Sequence, residues 1–426
     1  MDKIVYSIWL SLSCTPDSPT FAKLLGSFDS AEEIYNATDR EIRYCVGPNV
    51  SDCSSLSDKS LEKAEKIYEF CTSKGVGIVT YWDDDFPLPL RDIPTPPVLL
   101  YYRGKIPSFE RGFRCAIVGT RHLSDYGRKN AFYLGYDMAC AGSVVVSGMA
   151  IGIDGVALAG ALSAGGTTIA VLGSGIDVCY PPIHLKLARE IVKNGCIFTE
   201  YPPGTKPERY NFPRRNRLIS GLSTVTVVVE GKETSGALLT ARHAKAQNRP
   251  VYAFPGNVYN EGSQVTNLLL KNGARVCTAA DDIARDYENE CPRVLCPERL
   301  QIKRTVNMDA ALREYQIGCV TPTDDIFVPA RPKPDVKATE YTQQKSDTVV
   351  NASAESRNTI DVPSAEAFDK EALMLYKKIP SDTDCPIESL VDSSTDLKKV
   401  MRLLLKLEMG RFIRMLPGDR VSRNIK

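Results

Sequence analysis

Three arginines within four positions, Arg214, Arg215 and Arg217, stand in the stretch NFPRRNRLIS at 211–220, which runs at once into Leu218 and Ile219. A guanidinium is a planar fork that binds phosphate oxygens in pairs and keeps its charge at any relevant pH. The apolar residues that follow predict a helix entering a core, so the cations are expected to line a pocket with an apolar floor. Phe212 either stacks on a base, the way single strands are held without sequence preference, or plugs the core. In the second case Arg214 or Arg215 is a partner for Glu200 or Glu230. One of the three arginines is expected to be structural in that sense, with Arg214 and Arg217 the candidates.

The other unusual residues lie in five loops: GTRHLSDYG from Gly119, SGMAIGID from Ser147, GSGIDVCYP from Gly173, EGKETSGALLTA from Glu230 and PGNVYNEGS from Pro255. Glycine and serine there let backbone N–H groups and helix N-termini approach an anion, and phosphate is the anion expected. Neither nucleotide signature is met. GSGIDV at 173–178 lacks the third glycine of the dinucleotide fingerprint, and no glycine-rich loop ends in the Gly-Lys-Ser/Thr of a P-loop. Arg121, in the first loop, is expected to reach the same rim as the arginine cluster.

An enzyme would need carboxylates, and Asp154, Asp177, Glu200 and Glu230 all fall near strand ends. Asp154 is explained by capping the helix that starts at GVALAGAL, and Asp177 by a turn before Pro181. With no Ser-His-Asp set and three histidines in the chain, neither a catalytic residue nor a resident cofactor is expected. Cys291 and Cys296 have no matching pair for a metal knuckle, so no metal is expected either. The thirteen cysteines are scattered and mostly sit in strand or helix patterns, which suits small core residues in a reducing cytosol.

These loops need elements to hold them. From Arg114 to about Ile283 the chain alternates apolar runs with helical patterns. The runs are CAIVGT, SVVVSG, TTIAVLG, CIFTEY, TVTVVVEG, PVYAFPG and RVCTAA. Continuous apolar runs joined by helices mean a doubly wound parallel sheet, in which ligands bind outside the carboxyl ends of the strands. Residues 1–75 read as a small helical domain, and 76–286 as the sheet domain with a Pro-rich arm at its start. Residues 287–365 read as a flexible linker, and 366–426 as a winged helix, whose third helix either reads nucleic acid or is a solvated face with Lys398, Lys399, Arg402 and Lys406.

At 426 residues the chain is expected to hold more than one domain, and its net charge of +1 confines any basic footprint to a local patch. The start MDKIVYSIWLSLSC reads as a first helix and not as an export signal. No apolar run approaches the length of a membrane span, so a soluble, cytoplasmic protein is expected.

The segments GTR at 119–121, SGMAIGID at 147–154, TIAVLGSGIDVCYP at 168–181, FPRRNRLISGLS at 212–223, VVVEGKETSGALLTA at 227–241 and AFPGN at 253–257 resemble the bacterial DNA-processing protein A (DprA/Smf) family. They occur in order and cover residues 90–285. The resemblance implies an extended Rossmann-like domain that binds single-stranded DNA in a basic pocket, forms a homodimer and helps load the RecA recombinase, as in natural transformation, without a catalytic step. Carried over, the DNA-binding pocket comprises Gly119, Thr120, Arg121, Ser147, Gly148, Arg209, Phe212, Asn216 and Arg217, with Arg215 from the same cluster. Two positions depart from the family pattern: Ile151 replaces a basic residue and Leu158 a histidine. Two alternatives are an enzyme acting on a nucleotide or glycosidic bond, and a scaffold that binds partners through its winged helix.

Overall fold

The computed structural model describes residues 2–47, 52–110, 112–233, 235–288 and 295–301, most of 304–316, and in the C-terminal part chiefly 370–380, 385–390, 412–416 and 420–423. It divides into two units, Met1–Asp335 and Val336–Lys426.

The first unit opens with helices α1 (Lys3–Ser13), α2 (Thr20–Leu24), α3 (Ala31–Asn36), α4 (Asp39–Val46), α5 (Asp52–Ser57) and α6 (Glu62–Ser73). Their starts follow the capping residues: Ser30 Oγ accepts from Glu33 N at 3.1 Å, and Thr38 with Glu41 forms a reciprocal capping box. Asp52, 3% exposed, accepts hydrogen bonds from the Thr15, Ser18 and Thr20 hydroxyls and ties the turn after α1 to α5.

Strands follow in this unit, the first ten described being β1 (Gly77–Thr80), β2 (Leu99–Gly104), β3 (Arg114–Val118), β4 (Val144–Ser147), β5 (Thr168–Val171), β6 (Val178–Cys179), β7 (Gly195–Thr199), β8 (Val225–Val228), β9 (Val251–Ala253) and β10 (Arg275–Val276). All but β6 form one sheet, in the order β1-β2-β7-β5-β4-β3-β8-β9-β10. From β7 to β10 every pairing is parallel, while β1 and β2 add antiparallel at the edge. The seven apolar runs read from the sequence are these seven parallel strands, and the arm proves to be part of the sheet.

The helices between strands are α7 (Asp125–Cys140), α8 (Ile153–Ser163), α9 (Leu185–Lys193), α10 (Asn211–Gly221), α11 (Gly236–Ala246), α12 (Gln264–Lys271) and α13 (Ala280–Asp286). Alternate strand residues face opposite sides. Cys115, Ile117, Val145, Ala170, Ile197 and Val227 join one core with α7, α8 and α9, and the same core continues into α1–α6. Ala116, Val118, Val146, Val171, Phe198 and Val228 join the other with α10 and α11. Both faces are covered, which is why the strands read as unbroken apolar runs.

Within the stretch expected as linker, Pro297–Gln301 is a 3₁₀ turn and α14 (Met308–Gln316) a helix. Met308 and Leu312 are buried in the first core, and Arg304 donates to Asp137 of α7. The strand β11 (Val328–Pro329) pairs with β6. The second unit holds α15 (Lys370–Lys378) and a three-stranded antiparallel sheet of β12 (Cys385–Pro386), β14 (Arg420–Arg423) and β13 (Ile413–Leu416), in that order. Val400, Leu403, Leu404 and Leu407 are helical and buried, at the spacing of one helix face. Lys398, Lys399, Arg402 and Lys406 lie outside the described residues.

Candidate nucleic-acid interface

The strand order reverses between β3 and β8. β3 leads to β4, β5 and β7 on one side, and β8 leads to β9 and β10 on the other. The loops expected to form the rim therefore leave the carboxyl ends of neighbouring strands on both sides of a topological switch point.

α10 brings the arginine cluster to this rim, and it distributes the three side chains differently. Phe212, half-buried, packs on Tyr180 with ring centroids 5.5 Å apart and lies against the backbone of Gly173 at the end of β5. The Arg121 guanidinium stands 5.3 Å from the Phe212 ring centroid, and that of Arg215 stands 6.0 Å away. Arg121 and Arg209 are exposed; Arg214 is half-buried over the ring of Tyr210.

Arg215 is 3% exposed. Its Nη1 donates to the carbonyls of Gly148 and Val171, at the ends of β4 and β5. Asp154 lies beside it, with its Oδ2 accepting from Gly148 N at 3.1 Å. Gly148 sits between the two. A Cβ there would fall 2.6 Å from Arg215 Nη2 and 2.6 Å from Asp154 Oδ2, so only glycine leaves room for the pair. Burial pulls the Arg215 guanidinium down to about 10, against the pull of Asp154, and leaves it cationic at neutral pH. Burial raises Asp154, opposed by Arg215 and by backbone N–H groups of Ala150 and Gly148. The N-cap reading of Asp154 is corrected here: α8 is capped at Gly152, and the carboxylate turns back to hold the Gly148 loop.

Arg217 takes the structural role. It is 2% exposed, and its two terminal nitrogens donate to the two oxygens of Glu200, each at 2.7 Å. Its Nε donates to Thr95 O at 3.0 Å and lies 3.5 Å from Asp17 Oδ1. The side chain expected on the pocket wall thus points inward and joins the arm, the N-terminal helices and β7. Of the three arginines Arg217 is the one paired with Glu200, and Arg215 is engaged inside the protein in a different way, with backbone carbonyls.

The remaining residues carried over by resemblance gather at the same strand ends, mostly beneath the surface. Ser147 is fully buried and donates to Ile117 O at 2.6 Å. Asn216, 8% exposed, donates to Gly236 O at the start of α11. Gly119 and Thr120 are half-buried, and Thr120 N donates to Glu230 O at 2.8 Å. Ile151 is 52% exposed on the rim, whereas Leu158 is fully buried in α8.

The carboxylates weighed for catalysis are engaged in the fold. Glu200 holds Arg217. Glu230 Oε2 accepts from Ser124 N at 3.0 Å, and Asp177 Oδ1 accepts from Gly204 N at 2.8 Å. Among the described residues no cluster of His, Cys, Asp or Glu could hold a metal ion; Cys291 lies outside them. The described cysteines are free thiols, and no helix among the described residues is long and apolar enough to cross a membrane. A cleft of ≈ 810 Å³ lined by Lys105, Phe109, Lys193 and the acidic Asp84, Asp85 and Glu110 lies at the amino ends of β5 and β7, away from the rim.

Sequence reasoning missed Tyr180 against Phe212, the Thr95 and Asp17 partners of Arg217, and two exposed tyrosines at the rim, Tyr126 in the first turn of α7 and Tyr259 in the loop after β9. Only the tyrosines left a signal: aromatics among the Asp, Asn and Gly residues of loops at strand ends.

The family model described as DNA recombination-mediator protein A matches residues 77–288, from the first residue of β1 to just beyond α13. The DNA processing protein DprA of Bacillus subtilis is 36% identical over 221 residues, covering 52% of this chain and 74% of that protein. Protein Smf of Escherichia coli is 40% identical over 193 residues, covering 45% of this chain and 51% of Smf. The X-ray structure of DprA from Streptococcus pneumoniae superposes with a TM-score of 0.57 at 29% identity, over 66% of this chain and 97% of that one. The chain belongs to the DNA recombination-mediator protein A family, whose members include DprA and Smf.

Proposed function

We propose that this member of a recombination-mediator family binds single-stranded DNA along the strand-end rim, with Phe212 stacking on a base and Arg121, Arg209 and Arg214 neutralising phosphates. One observation carries the reading: two guanidinium groups of like charge, Arg121 and Arg215, converge on one aromatic ring, with one buried carboxylate, Asp154, beside them. Such a group of cations favours an anion, and the aromatic face favours a base. In this reading Gly119, Thr120, Ser147, Gly148 and Asn216 shape the loops, and Arg215 and Arg217 hold α10 in place.

The protein acts without a catalytic step, as the engagement of Glu200, Glu230 and Asp177 supports, and it works as a cytoplasmic homodimer that helps load RecA onto the strand. Fluorescence anisotropy of labelled oligo-dT against wild type and Arg121→Glu, at several salt concentrations, tests the binding. The expected result is tight binding by wild type, with log K falling by about 0.7 per phosphate contact for each unit of log salt, and its loss in the variant. Equal binding by both proteins would move the site off the rim. RecA filament growth on strands coated with single-strand-binding protein, with and without this protein, tests the loading step.

A further inference from the structure

We infer that the rim carries a second base-stacking station at Tyr259, so that a strand held at Phe212 crosses the switch point and leaves over the loop after β9. The inference rests on the single-strand reading above and extends it to a path.

Tyr259 is 94% exposed and Val258 76% exposed, and nothing in the fold of this unit calls for an aromatic there. The loop that presents them is nevertheless tightly fastened. Tyr259 N donates to Asn257 Oδ1 at 2.9 Å, Asn260 N to Asn257 O at 3.0 Å, and Gly262 N to Asn260 Oδ1 at 2.9 Å. Asn267 bonds both backbone groups of Gly256, and Tyr126 Oη donates to Pro255 O at 2.7 Å. An exposed ring on a fixed loop loses little freedom when a flat partner stacks on it.

Position supplies the second argument. Phe212 lies over the end of β5, and the Tyr259 loop follows β9; β4, β3 and β8 stand between. Four inter-strand steps of about 4.8 Å separate the ends of β5 and β9, from which the two stations project, by roughly 19 Å along the rim, a span of a few nucleotides. Ile151, 52% exposed, follows β4 between them, and Tyr126, 47% exposed in the first turn of α7, reaches the loop after β9 through Pro255. The rim thus offers apolar faces at both stations, with Arg121 at the Phe212 end.

Charge separates the two stations. At the Phe212 ring stand Arg121 and Arg215, and Arg214 lies over the neighbouring Tyr210. Near Tyr259, Lys232 is paired with Glu261, and Arg128 with Asp125. The Tyr259 station therefore holds a base by stacking and adds no phosphate contact.

The test uses the full chain and oligo-dT probes of about 4 to 16 nucleotides, the range of site sizes of single-strand-binding folds. Tyr259→Ala and Tyr259→Trp are compared with wild type at several salt concentrations. Tyr259→Ala is expected to bind the shortest probe as wild type does, to bind probes of about eight nucleotides or more roughly tenfold more weakly, and to keep the wild-type salt dependence. Tyr259→Trp is expected to retain affinity, with its added fluorescence quenched only by the longer probes. Equal affinity of Tyr259→Ala and wild type at every length overturns the inference and leaves the Phe212 site standing. Weakening that is the same at every length also overturns it, because the residue would then act through the loop's shape. A wild type that binds no probe removes both readings together.

Discussion

Arg215 and Arg217 stand two positions apart on one helix, and the physics of burial separates both from Arg121. Replacing Arg217 by glutamine strands the buried Glu200 carboxylate, which costs about 3–5 kcal/mol. Urea denaturation is expected to show a midpoint shift of that size, with oligonucleotide binding lost only as far as the fold is lost. Arg121→Glu, on an exposed side chain, is expected to leave the denaturation midpoint within about 0.5 kcal/mol of wild type while abolishing binding. Gly148→Ala presses a methyl into the Arg215–Asp154 pair and is expected to lower the melting temperature, read by calorimetry. The cluster's chemistry was legible from the sequence, but the direction of each side chain was not. Helical spacing turns Arg215 away from Arg214 and Arg217, which lie three apart on one side of α10, yet Arg214 is half-buried and Arg217 fully inside. Which face is inside depends on Thr95, 122 residues away in sequence, and on Asp17.

At the scale of elements, the strands were legible because burial on both faces imposes an unbroken apolar run, as in TVVV and AIVG. Strands in the arm were legible among its Pro-rich turns, but their place was not, since LLYYRG pairs antiparallel with β7 at the edge of the sheet. Asp154 misled because a carboxylate at the second position of α8 looks like a helix cap, and the loop it actually holds, at Gly148, precedes the helix. The same loop rests on a buried histidine. His184 Nδ1 donates to Met149 O at 2.9 Å, and burial lowers its affinity for a proton. The folded state therefore takes up that proton at a lower pH than the unfolded chain does. Stability from this group is full above the unfolded value of about 6.5 and is lost as pH falls through it towards the folded value. Thermal melts between pH 8 and pH 5 are expected to show a falling midpoint over about that interval, and His184→Gln to flatten the fall.

At the scale of the molecule, the boundary read near residue 75 marks a change of pattern and not a break in packing. Val5, Ile8 and Trp9 belong to the same core as Cys115, Val145 and Leu158. Differential scanning calorimetry is expected to show the N-terminal helices and the sheet melting in one transition, and a chain lacking residues 1–75 to melt lower or fail to fold. The N-terminal helical segments were legible from caps and spacing, whereas a shared core depends on which apolar faces meet. Glu230 bears on the whole rim in another way. Its backbone carbonyl accepts from Thr120, its carboxylate accepts from Ser124, and the glycines at 127 and 262 let α7 and the loop after β9 close on it. Loops from three strands are clamped at one carboxylate before any ligand arrives. The conformational entropy of assembling that part of the surface is lost on folding and is not charged again to association. The heat capacity change on binding then reports the apolar area that the strand covers, free of any contribution from ordering those loops.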